Sequence, residues 1–459
     1  MTLRNLAQWL VWLEIPILSL IYFYFVVTDA VPLAAFGLIA LIWLARVWTT
    51  GKPPVGTPLD LPVVILLVML PVSLAVTSYP WLTLPKVYGV VLSVAFFYAV
   101  VNQVKSRRDL AWATLWLVLA CIAIALAGLI GTDWAQSKII SASFIYDRLP
   151  HVIQGIPRSI AGGFARNGVG GTLTLVVPLL AALGLVTQES GADERGQTRI
   201  EIPLPRSHLP WRAVPGSTAV RIPFRLVVGV ALVLSVITLA LTQSRGALLG
   251  TGVGLLAVAI WRERRFAWLI VVGVVLFTVV LFAGQGNTLA EFVLKMDSRT
   301  GTLASRLEVW QRGVMMVQDF PFTGIGIGTY NEVAHSLYPF FIAAPDEVVA
   351  HAHDELLQVA VDVGIPGLIA YVALLTGFVL CVARAYGVID DVGIRALLAG
   401  LGFAMLAHQV FGLTDAFILG TKPGVLMWVD FALAAVVYVR RGEWTIDGGR
   451  KTKEFGRPS

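Results

Sequence analysis

The segment Ala350–Gly367 reads AHAHDELLQVAVDVGIPG and holds two of the chain's six histidines. The spacing of its apolar residues predicts a helix with His353 on the apolar face and Asp354, Glu355 and Asp362 largely outside it. An imidazole on the buried side of a helix at the edge of an apolar segment is a candidate reactive group, because its charge changes near neutral pH. A packed, hydrogen-bonded histidine satisfies the same pattern, so both interpretations stay open at this point.

His351, His353 and Asp354 could in principle bind a metal ion, since imidazole and carboxylate suit zinc or manganese. In a helix, however, side chains two residues apart point to different faces. The helical interpretation therefore predicts no metal site in this segment.

Arg245 lies in the sequence TQSRG, between two apolar segments. A charge at membrane depth costs a few kcal/mol or more unless it is paired or solvated. Because a planar guanidinium binds phosphate oxygens bidentately, Arg245 is a candidate diphosphate ligand. The alternative is an arginine whose charged end simply reaches the membrane interface. Arg166, at the start of another apolar segment, is a second candidate of the same kind.

The composition predicts a polytopic membrane protein. The chain is 57% hydrophobic and 14% charged, with a mean hydropathy of +0.80, whereas soluble proteins carry about 25% charged residues. The net charge of +6 does not imply nucleic acid, because basic residues collect on the cytoplasmic loops of membrane proteins. Cys121 and Cys381 lie in separate apolar segments, which excludes a disulfide framework. Leu6–Val27 is too long for a cleaved signal sequence and is predicted to be a retained span.

A helical span needs about 20 mostly apolar residues, and the chain has about twelve such segments. They are residues 7–27, 31–48, 60–77, 83–104, 110–130, 168–187, 226–243, 247–261, 266–283, 364–385, 394–413 and 422–439. Lysine and arginine concentrate on alternate connecting segments, which predicts that both termini are cytoplasmic.

The chain is therefore expected to be all-α, with four parts. These are a bundle of nine spans (1–283) with an inner loop (188–224), a large outer loop (284–363), three last spans (364–440) and a cytoplasmic tail (441–459).

The large outer loop is expected to be folded and partly helical. Ser305 to Glu308 has the sequence of a capping box, and an apolar stripe follows it at Leu307, Trp310, Val314 and Val317. Pro321 then ends the helix and Gly324–Gly328 turns the chain. The loop is acidic overall, with its bases confined to the first third: Lys295, Arg299, Arg306 and Arg312. This pattern favours a local arginine cluster aimed at one anion.

Three groups of residues resemble motifs of the O-antigen ligase and O-antigen polymerase superfamily of bacterial envelope glycosyltransferases. Arg245–Leu249 is similar to the Arg-x3-Leu motif of the ligases. His353 and Asp354, followed after nine residues by Gly364 and after two more by Gly367, resemble a second motif. Asp354 departs from that motif, which has an amide or a serine there. The third group is a Ser-Arg-Leu-Glu-x-Trp sequence followed by the Pro-x2-Gly-x-Gly-x-Gly turn.

The resemblance implies a GT-C-like membrane fold and a donor glycan carried on undecaprenyl diphosphate. His353 would be the general base, or would position the acceptor. Arg245 and Arg306, with Arg166 or Arg312, would stabilise the leaving diphosphate. His351 and Asp354 would lie beside the substrate. The same resemblance implies inversion at the anomeric carbon, no metal and no cofactor, and an active site on the periplasmic side of the bacterial inner membrane.

Three functions remain open on the sequence alone. The first is a ligase that moves a glycan onto lipid A-core or another glycan or protein acceptor. The second is a polymerase that extends the glycan on the same donor. The third is a transporter or lipid flippase, which Glu14 and His408 inside predicted spans would favour. The notable charges lie at the outer edge of the spans, which favours chemistry at the interface over transport.

Overall fold

The computed structural model describes residues 2–28, 30–51, 55–132, 134, 145, 164–189, 224–280, 283, 303–343, 348–417 and 419–444. Their main elements are α1 (Leu3–Trp12), α2 (Glu14–Thr28), α3 (Leu33–Thr50), α4 (Asp60–Val76), α5 (Pro80–Gln103), α6 (Arg107–Gly131), α7 (Arg166–Thr174), α8 (Val177–Glu189), α9 (Phe224–Thr242), α10 (Arg245–Arg262), a 3₁₀ turn (Arg264–Ala267), α11 (Trp268–Val280), α12 (Leu303–Asp319), α13 (Tyr330–Leu337), α14 (Glu355–Tyr386), α15 (Val392–Gly412) and α16 (Gly424–Trp444). The prediction of an all-α protein is confirmed for these residues.

Each of the twelve predicted apolar segments coincides with a helix or a pair of helices. Within the described residues, seven helices or consecutive pairs are long and apolar enough to cross a membrane, and α1 with α2, bent by 57°, would make an eighth. In lipid, a helix satisfies its own backbone hydrogen bonds, which is why these apolar runs fold this way. The chain is thus a multi-pass membrane protein, while the full count of twelve and the sidedness stay predictions.

Helix α10 packs closely on α15 because one of its faces carries glycines four residues apart. A Cβ added to Gly250 would lie 2.3 Å from the carbonyl oxygen of Ala407, and one added to Gly254 would lie 2.8 Å from the Ala407 Cβ. At the first turn of α10, a Cβ on Gly246 would lie 2.1 Å from the Thr414 hydroxyl oxygen. Small residues at this spacing let two membrane helices approach each other. The packing brings the first turn of α10 against the turn that follows α15.

Helices α12 and α13 form a separate small core with the start of α14. Its members are Val309, Met316, Ile325, Tyr330, Val333, Ala334, Phe340, Ala343, Val349, Ala352 and Val361. The buried Tyr330 hydroxyl donates to the Val309 carbonyl at 2.6 Å, which ties α13 to α12. These residues are therefore folded where the structure describes them, while their position outside the membrane stays a prediction.

The predicted capping box in this segment is wrong. Helix α12 already runs from Leu303, so Ser305 lies inside it. The Glu308 carboxylate instead accepts three backbone N–H bonds of 2.6–2.9 Å from residues 341–343. The predicted apolar stripe is also wrong in part, since Leu307 and Val314 are 51% and 46% exposed. The buried face carries polar residues because their partners lie in distant loops.

The glycine-rich turn is confirmed, and its glycines are needed for two reasons. Gly324, Gly326 and Gly328 have φ values of 66°, 104° and 77°, a region that disfavours side chains. A Cβ on Gly324 would also lie 2.5 Å from the Asp362 carbonyl carbon. The turn is thereby pressed against α14.

Helix α14 is interrupted at Gly364, where φ is 70° and ψ is −178°. The next residue, Ile365, donates its N–H to the Pro321 carbonyl at 2.7 Å. The predicted span 364–385 thus begins at this kink, while the first turns of α14 belong to the outer segment. Residues 190–223 of the predicted inner loop (188–224), most of the tail and the outer-loop bases Lys295 and Arg299 lie outside the described residues.

We expect Glu308→Gln to lower the free energy of unfolding by about 1–3 kcal/mol, because an amide has one acceptor oxygen and its amino group would face a backbone N–H. Burial raises the pKa of Glu308, but the three N–H groups and Arg312 outweigh it and hold the pKa below its ordinary value of 4.5. The stabilisation is therefore present above pH 4.5 and is lost as the pH falls further. Thermal melting in detergent, with Glu332→Gln as the control, measures the effect. An unchanged melting temperature at pH 7 would contradict it.

Candidate functional site

Residues 350–354, hereafter the histidine loop, are not helical. Helix α14 begins only at Glu355, and the Asp354 carboxylate caps it by accepting the Leu357 N–H at 2.8 Å. His353 has a φ of 53°, so the prediction that it lies on the apolar face of a helix is wrong. An aspartate is a strong N-cap, and its local hydrogen bond overrides the apolar periodicity that continues through the segment.

Both histidines of this loop point at one carboxylate oxygen. His351 Nε2 and His353 Nδ1 each lie 3.3 Å from Oδ1 of Asp415, in the turn after α15. The two imidazole centroids are 4.4 Å apart. Asp415 is buried and the histidines are only partly exposed. We call these three residues the His–Asp cluster.

The hydrogen bonds define the protonation state of His351. Its Nδ1 accepts the His353 backbone N–H at 3.3 Å, so in the neutral ring the proton is on Nε2, which lies 3.3 Å from Oδ1 of Asp415. Burial lowers the pKa of His351 to about 4, against the opposing effect of Asp415. His351 is therefore neutral at physiological pH.

Asp415 stays ionised despite its burial. Desolvation raises its pKa, but His351 and His353 outweigh that effect and bring the pKa below its ordinary value. An ionised carboxylate can only accept, so His353 donates from Nδ1. A neutral imidazole that donates from Nδ1 has its lone pair on Nε2, which is the arrangement of a general base oriented by a carboxylate.

Arg306, on the buried face of α12, lies beside this cluster. Its guanidinium donates to the carbonyl of Thr414, the neighbour of Asp415, and its Nε is buried without a hydrogen-bond partner among the described residues. Burial lowers its pKa to about 10, with Asp415 opposing and Arg245 adding to the shift. Arg306 remains cationic at neutral pH.

Arg245 lies near the same turn and acts electrostatically on Arg306. It is the first residue of α10, and its neighbour Gly246 touches Thr414. Two guanidinium groups that act on each other through partly buried surroundings repel, and an anion between them removes the repulsion. The pair therefore has the charge distribution of an anion site adjoining the His–Asp cluster.

Two other arginines predicted to bind the substrate, Arg166 and Arg312, lie in different parts of the fold. Arg166 begins α7, and one turn later a Cβ on Gly170 would lie 3.0 Å from the Ser244 Cβ, so this helix end adjoins the hinge before Arg245. Arg312 pairs with Glu308 at 3.3 Å and lies 5.4 Å from the centroid of the Phe341 ring. The described contacts of Arg312 belong to the outer segment's own fold. Substrate binding by Arg166, Arg312 and Asp354 stays a prediction.

Sequence reasoning missed Asp415. The residue lies 62 positions after His353 in a short turn, so no local spacing connects the two. The only available signal was an acid directly after a predicted span, at the same predicted face of the membrane as Arg245 and the histidines.

The reason given against a metal site is also wrong, because the segment is not helical. One ligand atom from each member of the His–Asp cluster lies within 4.8 Å of the other two, so the cluster could hold a metal ion. The positive charges of Arg306 and Arg245 beside the cluster would repel a bound metal cation.

A family model described as O-antigen ligase matches residues 230–372. The matched region contains Arg245, Arg306 and the histidine loop, whereas Arg166 and Asp415 lie outside it. No curated protein matches the chain. The family match confirms the resemblance that the motifs predicted.

We expect His351 to make the protein less stable as the pH falls from 6.5 towards 4. The unfolded chain takes up this proton near 6.5 and the folded chain only near 4, so protonation favours unfolding within that window. The melting temperature of the wild type should therefore drop more between pH 7 and pH 5 than that of His351→Gln. His335→Gln is the control for loss of one imidazole. Parallel pH profiles of wild type and His351→Gln would show that the buried His351 is not the group responsible.

Proposed function

We propose, on the premise that this chain belongs to the O-antigen ligase and polymerase superfamily, that it is an inverting glycosyltransferase of the bacterial inner membrane. It moves a glycan from undecaprenyl diphosphate to a hydroxyl of an envelope acceptor such as lipid A-core. One observation carries the proposal: the His–Asp cluster, which supplies a base, adjoins the Arg245 and Arg306 pair, which supplies an anion site. A transfer from a diphosphate to a hydroxyl needs both.

The reaction is a single displacement. The acceptor oxygen forms a bond to the anomeric carbon while the bond from that carbon to the diphosphate oxygen breaks. His353 Nε2 takes the hydroxyl proton, and the ionised Asp415 stabilises the resulting imidazolium through Nδ1. General base catalysis of this kind contributes about 10²–10⁴-fold. Attack from the side opposite the leaving group inverts the anomeric centre.

The arginines act on the other end of the breaking bond. Undecaprenyl diphosphate leaves with the bonding electrons, and its oxygens gain negative charge. Arg245 and Arg306 are already positioned where that charge develops, and one such donor is typically worth about 3–4 kcal/mol of barrier lowering. In this proposal Arg166, at the start of α7, extends the same site along the diphosphate.

The proposed transfer needs no metal ion and no cofactor. The charge of the leaving group is met by guanidinium groups, and the Asp415 carboxylate already accepts a hydrogen bond from His353 Nδ1. The assays below are therefore run with EDTA present, and dependence on an added divalent cation would contradict this part of the proposal.

The choice of acceptor distinguishes ligase activity from polymerase activity in an assay. Purified protein is incubated with one lipid-linked oligosaccharide as donor, first alone and then with lipid A-core. Product only after the second addition identifies the ligase. A ladder that grows from the donor alone identifies the polymerase, which shares the same donor chemistry. If folded protein forms no product with any acceptor, the result would favour a transporter or lipid flippase.

We expect His353→Ala to reduce transfer by about 10²–10⁴-fold, because it removes the base and leaves the anion site intact. The measurement is the initial rate of product formation at saturating donor. His335→Ala, in α13 and outside the cluster, is the matched control. A normal rate in folded His353→Ala protein would exclude the general base role.

We expect Arg245→Lys to lower kcat by at least about tenfold, although the charge is kept. An ammonium group is a point charge and cannot hold two phosphate oxygens with the planar fork of a guanidinium. The initial rate at saturating donor is compared with that of Arg262→Lys, a control at the other end of the same helix. A wild-type rate in Arg245→Lys would show that a positive charge alone is sufficient.

A further inference from the structure

The histidine loop has a conformation that its own sequence does not favour. His353 adopts a positive φ of 53°, which non-glycine residues rarely do. Residues before Glu355 have no helical hydrogen bonds to hold them, and Asp354 is engaged in capping α14. Another group must therefore keep the loop folded over Asp415.

The centre of the loop is held by a side chain from α14. The backbone N–H of Ala352, between the two histidines, donates to Gln358 Oε1 at 2.7 Å. Ala352 and Gln358 are both fully buried. A buried backbone N–H that loses its acceptor is costly, so this bond fixes where the loop can lie.

The other end of the same amide is also occupied. Gln358 Nε2 donates to Asp362 Oδ1 at 2.9 Å, and that oxygen also accepts the Gly328 N–H at 3.0 Å. The amide thus joins the histidine loop, α14 and the glycine-rich turn. Only a group that accepts at one end and donates at the other can do so at this size.

We propose that Gln358 is a positioning residue that holds the histidine loop through Ala352 and so directs His353 at Asp415. It acts through the backbone and does not touch the reacting atoms. Neither its type nor its spacing belongs to the motifs that carried the family resemblance. The catalytic part of this inference rests on the proposed function, whereas the structural part does not.

The first experiment compares Gln358→Met with Leu356→Met. Methionine has a similar length to glutamine but neither an amide donor nor an amide acceptor, and Leu356 is partly exposed on another face of the same turn. Hydrogen–deuterium exchange of the full-length protein in detergent is followed for the peptide spanning 348–357. We expect at least tenfold faster exchange within residues 350–354 in Gln358→Met and no change in Leu356→Met.

The second readout is the transfer rate of the same proteins. In Gln358→Met we expect kcat to fall at least tenfold while the KM for the donor stays within about threefold, because the arginines are untouched. Gln358→Glu should be at least as impaired, since it loses the donor and places a second carboxylate beside Asp362. Adding Asp362→Asn to Gln358→Glu restores a donor between the two positions and should recover at least threefold of the loss. Recovery is incomplete because the asparagine has only one acceptor oxygen, which must turn towards the Gly328 N–H while its amino group turns towards residue 358.

The outcomes separate the two claims. Unchanged exchange in Gln358→Met overturns the inference, as does a wild-type kcat in an active preparation. If Gln358→Met is poorly folded, recovery in the double variant supports the inference and its absence overturns it. Wild-type protein without transfer activity refutes the proposed function alone, because the exchange comparison still decides whether Gln358 holds the loop.

Discussion

The site depends on one carboxylate oxygen, Oδ1 of Asp415. It is buried, stays ionised, and has three nitrogens as neighbours: the two imidazoles and the Ala416 backbone N–H at 3.0 Å. A buried anion is tolerable only when it is fully hydrogen-bonded. The need to satisfy Asp415 therefore selects the Nδ1–H tautomer of His353, whereas burial keeps His351 neutral beside the same carboxylate oxygen.

The neighbouring arginines have the opposite requirement. Arg306 is also buried, but its described partners are a backbone carbonyl and, at longer range, Asp415. Arg245 adds a like charge at the same turn. The buried carboxylate and the two guanidinium groups give the site a direction, with the base at one end and concentrated positive charge at the other. That polarity matches a reaction in which a proton leaves one atom while negative charge collects on another.

Composition and motifs predicted the parts of this protein that depend on near neighbours in sequence. The apolar runs became helices, and the glycine-rich turn lies where Gly324–Gly328 were expected to turn the chain. The failures have a common cause. Glu308 looked like a helix cap but binds a loop more than thirty residues away, and Asp415 meets His353 across 62 residues. Apolar periodicity predicts the burial of a residue from its neighbours along the helix. It carries no information about hydrogen bonds from residues that are distant in sequence.

The same cause explains why the acids of α14 were expected to lie outside the buried stripe. Glu355 and Asp362 are 3% and 0% exposed. Glu355 accepts the Tyr371 hydroxyl at 2.5 Å, and its other oxygen lies 3.4 Å from Nε2 of His408.

On the opposite side of that ring, His408 Nδ1 lies 3.2 Å from the Thr174 hydroxyl at the end of α7. Buried polar contacts thus join three helices: α7, which begins with Arg166; α14, which follows the histidine loop; and α15, which precedes Asp415. Apolar packing between membrane helices is weakly directional, whereas hydrogen bonds fix register and rotation. His408, considered above as part of a transport path, hydrogen-bonds the end of α7 and faces the Glu355 carboxylate of α14 at 3.4 Å, which gives it a structural role between these helices.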